Sequence, residues 1–156
     1  MGVAGSGKST VGARLADALR RPFLDADDLH TDAARARMAA GTPLEDADRW
    51  PWLDRVGAWL AAHPGGVVCC SALRRAYRDR LRQHAPDVLF VLLDVPEAVL
   101  TERLTTRIGH FMPVELLRSQ LATLEPLGEA ERGLVVDGTL PTDWIVDRVG
   151  GYISAE

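Results

Sequence analysis

Apolar positions along this chain follow two alternating rhythms. After a glycine-rich start, Val11, Leu15, Ala18 and Leu19 recur at helical spacing, and the pattern stops near Arg20-Arg21-Pro22. Phe23-Leu24-Asp25 is a short strand candidate that leads into an acidic loop, Asp25-Ala26-Asp27-Asp28. A second helix is expected from Asp32 to Ala40, stopped by Gly41-Thr42-Pro43. Leu53, Val56 and Leu60 mark a third, with Pro51 near its start. Gly66-Val67-Val68-Cys69-Cys70 and Val88-Leu89-Phe90-Val91-Leu92-Leu93 are unbroken apolar runs, as in strands covered on both faces. A basic helix from Arg74 to Gln83 lies between them. Pro96 opens a helix to about Arg107, and Val114, Leu117, Leu121 and Leu124 mark another. Leu134-Val135-Val136-Asp137 is a last strand, and Pro141 to about Val149 a closing helix.

Strands that alternate with helices imply βαβ units, hence an α/β fold with a parallel sheet flanked by helices. The 156 residues fit a single domain, 1–156. Composition narrows the partners. The net charge of −4 gives no reason to expect adhesion to nucleic acid or to an anionic membrane. No apolar run approaches the ~20 residues of a membrane span, and the start lacks a signal-peptide pattern. The two cysteines, Cys69 and Cys70, are adjacent, which supports neither a disulfide framework nor a four-ligand zinc site. A cytoplasmic, soluble protein is expected.

The chemistry begins at the glycines. Lys8 is the only lysine among 18 basic residues, and it stands inside Gly2-Val3-Ala4-Gly5-Ser6-Gly7-Lys8-Ser9. That spacing is a phosphate-binding loop: glycines turn backbone amides onto phosphate oxygens, and the following helix adds its N-terminal dipole. Gly2 to Thr10 are the expected nucleotide contacts. Lys8 would reach the β- and γ-phosphates, and the Ser9 hydroxyl would bind Mg²⁺, with Asp25 as its partner. Asp25-x-Asp27 closes a strand on the edge where α/β sheets place ligands. A carboxylate there can hold a water of the Mg²⁺ shell or take a proton from an attacking hydroxyl; an Asx turn or helix cap is the plainer alternative. His30 on its own reads more often as a packed histidine than as a functional one. Arg74, Arg75, Arg78, Arg80 and Arg82 crowd one stretch, mostly as a solvated face, with one or two able to bind an anion.

Five segments in order resemble the gluconate kinases, small P-loop kinases of the shikimate-kinase-like group. They are Met1 to Thr10; Phe23-Leu24-Asp25-Ala26-Asp27-Asp28-Leu29-His30; Met38 to Leu53 around Gly41-Thr42-Pro43 and Arg49-Trp50-Pro51-Trp52; Cys70 to Asp79; and Gly109-His110-Phe111-Met112-Pro113. The resemblance implies ATP-dependent phosphorylation of D-gluconate at its terminal hydroxyl. It implies Lys8, Asp27 and Arg107 as catalytic residues, with Asp27, His30, Arg49, Arg78 and His110 on the acceptor. Arg103 and Arg107 match lid arginines, in a lid segment at about 103–125. ATP, Mg²⁺ and D-gluconate are the expected ligands, and a homodimer is a candidate assembly. A shikimate kinase is the nearest alternative, although Ser71-Ala72-Leu73 stands where those enzymes carry a glycine triplet. A nucleotide-binding module without catalysis is a second.

A phosphate loop turns off the end of a strand that is central to its sheet. Here the sequence begins one residue before Gly2. An upstream start, with roughly 5–15 further residues that include an apolar strand, is therefore expected.

Overall fold

The structure is a computed structural model and describes residues 1–107 and 113–155. Its elements are α1 (Lys8–Leu19), β1 (Phe23–Asp25), α2 (Asp32–Ala39), α3 (Asp46–Ala62), β2 (Val67–Cys69), α4 (Arg75–His84), β3 (Phe90–Asp94), α5 (Glu97–Thr106), α6 (Val114–Thr123), β4 (Gly133–Asp137) and α7 (Thr142–Ala155). A 3-10 turn, Ala26–Leu29, links β1 to α2. The alternation expected from periodicity is present, with shifted ends. α3 starts ahead of Pro51 because Glu45 and Asp48 form a capping box, leaving the proline to remove one backbone hydrogen bond inside the helix. β3 starts at Phe90, since the Val88 amide is turned back onto the Ala85 carbonyl. α7 continues through Gly150 and Gly151.

The strands pair in parallel, but as two pairs rather than one sheet. Phe23 lies opposite Val67 and Asp25 opposite Cys69, while β3 and β4 run from Phe90–Gly133 to Asp94–Asp137. Between the pairs stands Met1. Its α-amino group donates to the Val91 carbonyl at 2.5 Å, and its carbonyl accepts from the Leu93 amide at 3.0 Å. The Gly2 amide reaches the Ser71 carbonyl at 3.3 Å. The remaining space between β2 and β3 is a cavity of about 840 Å³, lined by side chains that include Leu15, Val67 and Val91.

Packing fixes the edge on which the loops meet. α1 and α7 cover β3 and β4 through Val11, Leu15, Ile145 and Val149. α1 approaches β2 so closely that a Cβ on Gly12 would stand 2.3 Å from Cys69 Sγ. α3 and α4 bury Leu53, Val56, Tyr77 and Leu81 together. Leu100, Leu104 and Leu117 of α5 and α6 pack with Val3 beneath the glycine loop. Among the described residues no helix is long and apolar enough to cross a membrane.

Candidate active site

The glycine loop has the conformation its sequence demands. Gly5 and Gly7 adopt φ of 80° and 92°, the left-handed region open to glycine. Gly7 is the N-cap of α1 and supplies no side-chain hydrogen bond. A Cβ built on it meets nothing within 4 Å, so the mouth of the loop is open. The first-turn amides of Lys8, Ser9 and Thr10 therefore face it without a side-chain cap, at the positive end of the helix dipole. Lys8 Nζ folds back to the Val3 carbonyl at 2.9 Å, and burial lowers its pKa. The Ala4 amide donates to Gln120 Oε1 at 2.8 Å, while the buried Ser6 Oγ has no partner. These features fit a polyphosphate.

One hydrogen bond joins the loop to the acceptor side. Ser9 Oγ donates to Asp25 Oδ2 at 2.8 Å, and Asp25 Oδ1 accepts from the Asp27 amide at 3.1 Å. Asp25 thus forms the Asx-type cap and also stands beside the phosphate loop. Hydroxyl and carboxylate oxygens are the hard donors that Mg²⁺ takes, so this pair fits the ion.

The Asp25 turn leaves the Asp27 side chain open to solvent beside His30. Its side chain is 87% exposed, and His30 Nε2 lies 3.8 Å from Oδ1. Desolvation by the surrounding protein, followed by the like charge of Asp25, raises the Asp27 pKa. His30 is nearly buried and stacks on Trp52, with ring centroids 4.3 Å apart at 11°. Burial lowers its pKa, which keeps the ring neutral at pH 7. Trp52 is held in turn by its indole N–H on the Ala26 carbonyl at 2.7 Å. Arg49, one turn earlier on α3, grips the Leu44 carbonyl through Nε and Nη2 at 3.3 and 3.2 Å.

Other expected site residues sit elsewhere. Arg78 is a correction. It is fully buried, and its five N–H donors are spent on Glu131 through Nε and Nη2, on the Ala72 and Leu73 carbonyls through Nη1, and on the Pro126 carbonyl. Nothing remains for an acceptor. Arg103 reaches the Gly5 carbonyl at 3.2 Å and the Gly138 carbonyl at 2.8 Å, bracing the phosphate loop against the end of β4. Arg107 is exposed at the C-cap of α5. His110 and Gly109 lie outside the described residues. Arg80 pairs with Asp54 through two bonds of 2.6 and 2.8 Å, and Arg82 with Asp79, as a solvated face would.

Sequence reasoning missed Glu131, Asp46 and Tyr77. Glu131 lies 53 residues from Arg78, with no local pattern to join them. Asp46 accepts from the Tyr77 hydroxyl at 2.5 Å across α3 and α4. The aromatic spacing of Trp50, Trp52 and Tyr77 was the available signal, and it reads equally as core.

A lysine-bearing phosphate loop, a Ser9–Asp25 pair and an open Asp27, gathered at the C-terminal edge of parallel strands, define a phosphotransferase of the P-loop kinase class. The sequence profile of the shikimate kinase family matches residues 4–135. The chain is 44% identical over 161 residues to a gluconokinase of Gluconobacter oxydans, covering 100% of this chain and 90% of that protein. It belongs to the gluconokinase family of that kinase group. The crystal structure of a gluconokinase from Sinorhizobium meliloti matches with a TM-score of 0.84 at 43% identity, covering 100% of this chain and 95% of that one. An unliganded sugar kinase from Janibacter sp. matches with a TM-score of 0.92 at 43% identity, covering 99% and 91%.

Proposed function

We propose that the chain transfers the γ-phosphoryl group of ATP to the terminal hydroxyl of D-gluconate, giving ADP and 6-phospho-D-gluconate. The observation that carries it is the Ser9–Asp25–Asp27 sequence of contacts, which sets an open carboxylate next to the phosphate loop. The acceptor hydroxyl oxygen attacks the γ-phosphorus, the bond to the β-phosphate oxygen breaks, and Asp27 takes the hydroxyl proton. Backbone amides from Gly2 to Thr10 and the Lys8 ammonium hold the phosphates. A Mg²⁺ ion held through Ser9 and Asp25 supplies neutralisation of phosphate charge when bound.

His30 and Arg49 orient the acceptor. The segment 103–125 acts as a lid, with Arg103 and Arg107 closing on the phosphates and His110 on the acceptor, so that water does not compete. The substrates are free small molecules of the cytoplasm, with a homodimer as the candidate assembly and no role for nucleic acid or membrane. A coupled assay of ADP release over gluconate, shikimate and related sugar acids tests it. Mg²⁺-dependent ADP formation with gluconate is expected. Turnover with shikimate and none with gluconate overturns the assignment.

A further inference from the structure

We propose that Arg74, with Arg49 and on the platform of Tyr77, forms the clamp that selects an acceptor bearing a carboxylate. The proposal rests on the proposed function and adds its specificity. A sugar acid carries its anionic group and its reacting terminal hydroxyl at opposite ends. A site that holds the hydroxyl at Asp27 therefore needs free guanidinium donors at its far end.

A line of contacts leads there. Asp27 faces His30, His30 stacks on Trp52 of α3, and Arg49 lies one turn before Trp52. The Arg49 guanidinium carbon stands 5.5 Å from the Tyr77 ring centroid, and that of Arg74 stands 5.9 Å from the same centroid. Tyr77 is buried, with the edge of Trp50 against it at 5.6 Å, so the platform is rigid. Cation–π contact fixes two long side chains that would otherwise sample many rotamers.

The hydrogen bonding leaves the right donors over. Arg49 uses Nε and Nη2 on the Leu44 carbonyl, which keeps Nη1 for a ligand. Among the described residues, Asp46 is the carboxylate paired with Tyr77 and Arg74, and its Oδ1 is taken by the Tyr77 hydroxyl at 2.5 Å. Its Oδ2 stands 3.6 Å from Arg74 Nη1, so no two-pronged Arg–Asp pair forms. The half-exposed Arg74 keeps most of its fork free. Two guanidinium groups against one carboxylate leave a net positive end. Tyr77 and Asp46 are positioning residues, and Arg49 and Arg74 touch the acid.

The test compares steady-state kinetics of the full chain on D-gluconate and on D-glucitol, the neutral polyol lacking the carboxylate. Arg74→Gln is expected to raise the gluconate KM by about 10–100-fold, the cost of a charge-assisted hydrogen bond. The ratio of kcat/KM for gluconate to that for glucitol falls by a similar factor. Arg74→Lys restores part of the loss. Tyr77→Phe frees Asp46 to pair fully with Arg74, so it raises the gluconate KM with kcat kept. An unchanged gluconate KM in Arg74→Gln, with a wild-type melting curve, overturns the clamp. If the wild type turns over a different sugar acid, the functional proposal fails, and the same ratio is read on that acid against its neutral polyol. A wild type that turns over D-glucitol as efficiently as D-gluconate overturns the clamp and leaves the functional proposal standing.

Discussion

Asp27→Asn is expected to lower gluconate turnover by about 10²–10⁴-fold while ATP binding and Tm stay near their wild-type values. The carboxylate makes one loose contact, 3.8 Å to His30, and is 87% exposed, so asparagine disturbs no buried partner. The nucleotide is held by the loop amides and Lys8, which asparagine at position 27 leaves in place. What is lost is the proton acceptor for the attacking hydroxyl. Phosphoryl transfer has a loose transition state in which that proton leaves late, which places the loss toward the lower part of the range. The raised Asp27 pKa gives a second readout. The acid limb of kcat/KM lies above the ordinary aspartate pKa, because the protonated form, favoured by desolvation and Asp25, cannot accept a proton. Single-turnover kinetics and nucleotide titration of the variant check the first claim. Turnover within threefold of wild type would move the role to Asp25 or to no residue.

The second large effect concerns stability. Arg78→Ala is expected to cost about 3–5 kcal/mol, because it strands the Glu131 carboxylate in the interior. Both side chains are fully buried, joined at 2.7 Å, and Glu131 Oε2 also accepts the Gly128 amide at 2.8 Å. The clamp ties the loop after β2 to the segment before β4. Ala72, whose carbonyl it holds, adopts φ of 44°, a left-handed conformation that costs a non-glycine residue about 1–2 kcal/mol. The double replacement Arg78→Met with Glu131→Leu removes both charges, so it should cost less than the two single changes summed. It still strands the carbonyls of Ala72, Leu73 and Pro126, and should remain below wild type. Urea unfolding of the three variants measures these terms. A loss under about 1 kcal/mol in Arg78→Ala would mean that water reaches Glu131. The bond from Arg78 lowers the Glu131 pKa from 4.5 to about 2. Its stabilisation is therefore fully present above pH 4.5 and is lost as pH falls toward 2.

The clamp also marks how far local pattern reaches. Arg74, Arg75, Arg78, Arg80 and Arg82 look equivalent along the chain, yet only Arg78 goes to the core, while Arg75 and Arg82 share Asp79. Arg78 points into the core, where Glu131 meets it. Arg80 turns to Asp54 on α3. Arg74 stays at the mouth of α4 beside Tyr77. Helical periodicity assigns a face to each, but partners on α3 and before β4 decide which face is core. Burial of an arginine requires a distant carboxylate and several carbonyls at once, which no window of a few residues can encode.

Elements and chemistry that depend on short range were legible from the start. The order of helices and strands follows from apolar period, and the phosphate loop from glycine spacing and the lone Lys8. The Asp25–Asp27 turn follows from an Asx residue ending a strand. Each requires only residues within a few positions, so the chain states them directly. Tertiary structure alone decided the rest. It set the parallel registers of β1 against β2 and of β3 against β4. It stacked His30 on Trp52, removed Arg78 from the acceptor side, and brought Arg49 and Arg74 to one tyrosine. Those outcomes follow from contacts across tens of residues, where packing volume and the pairing of buried charge select one arrangement among many that the same local pattern permits.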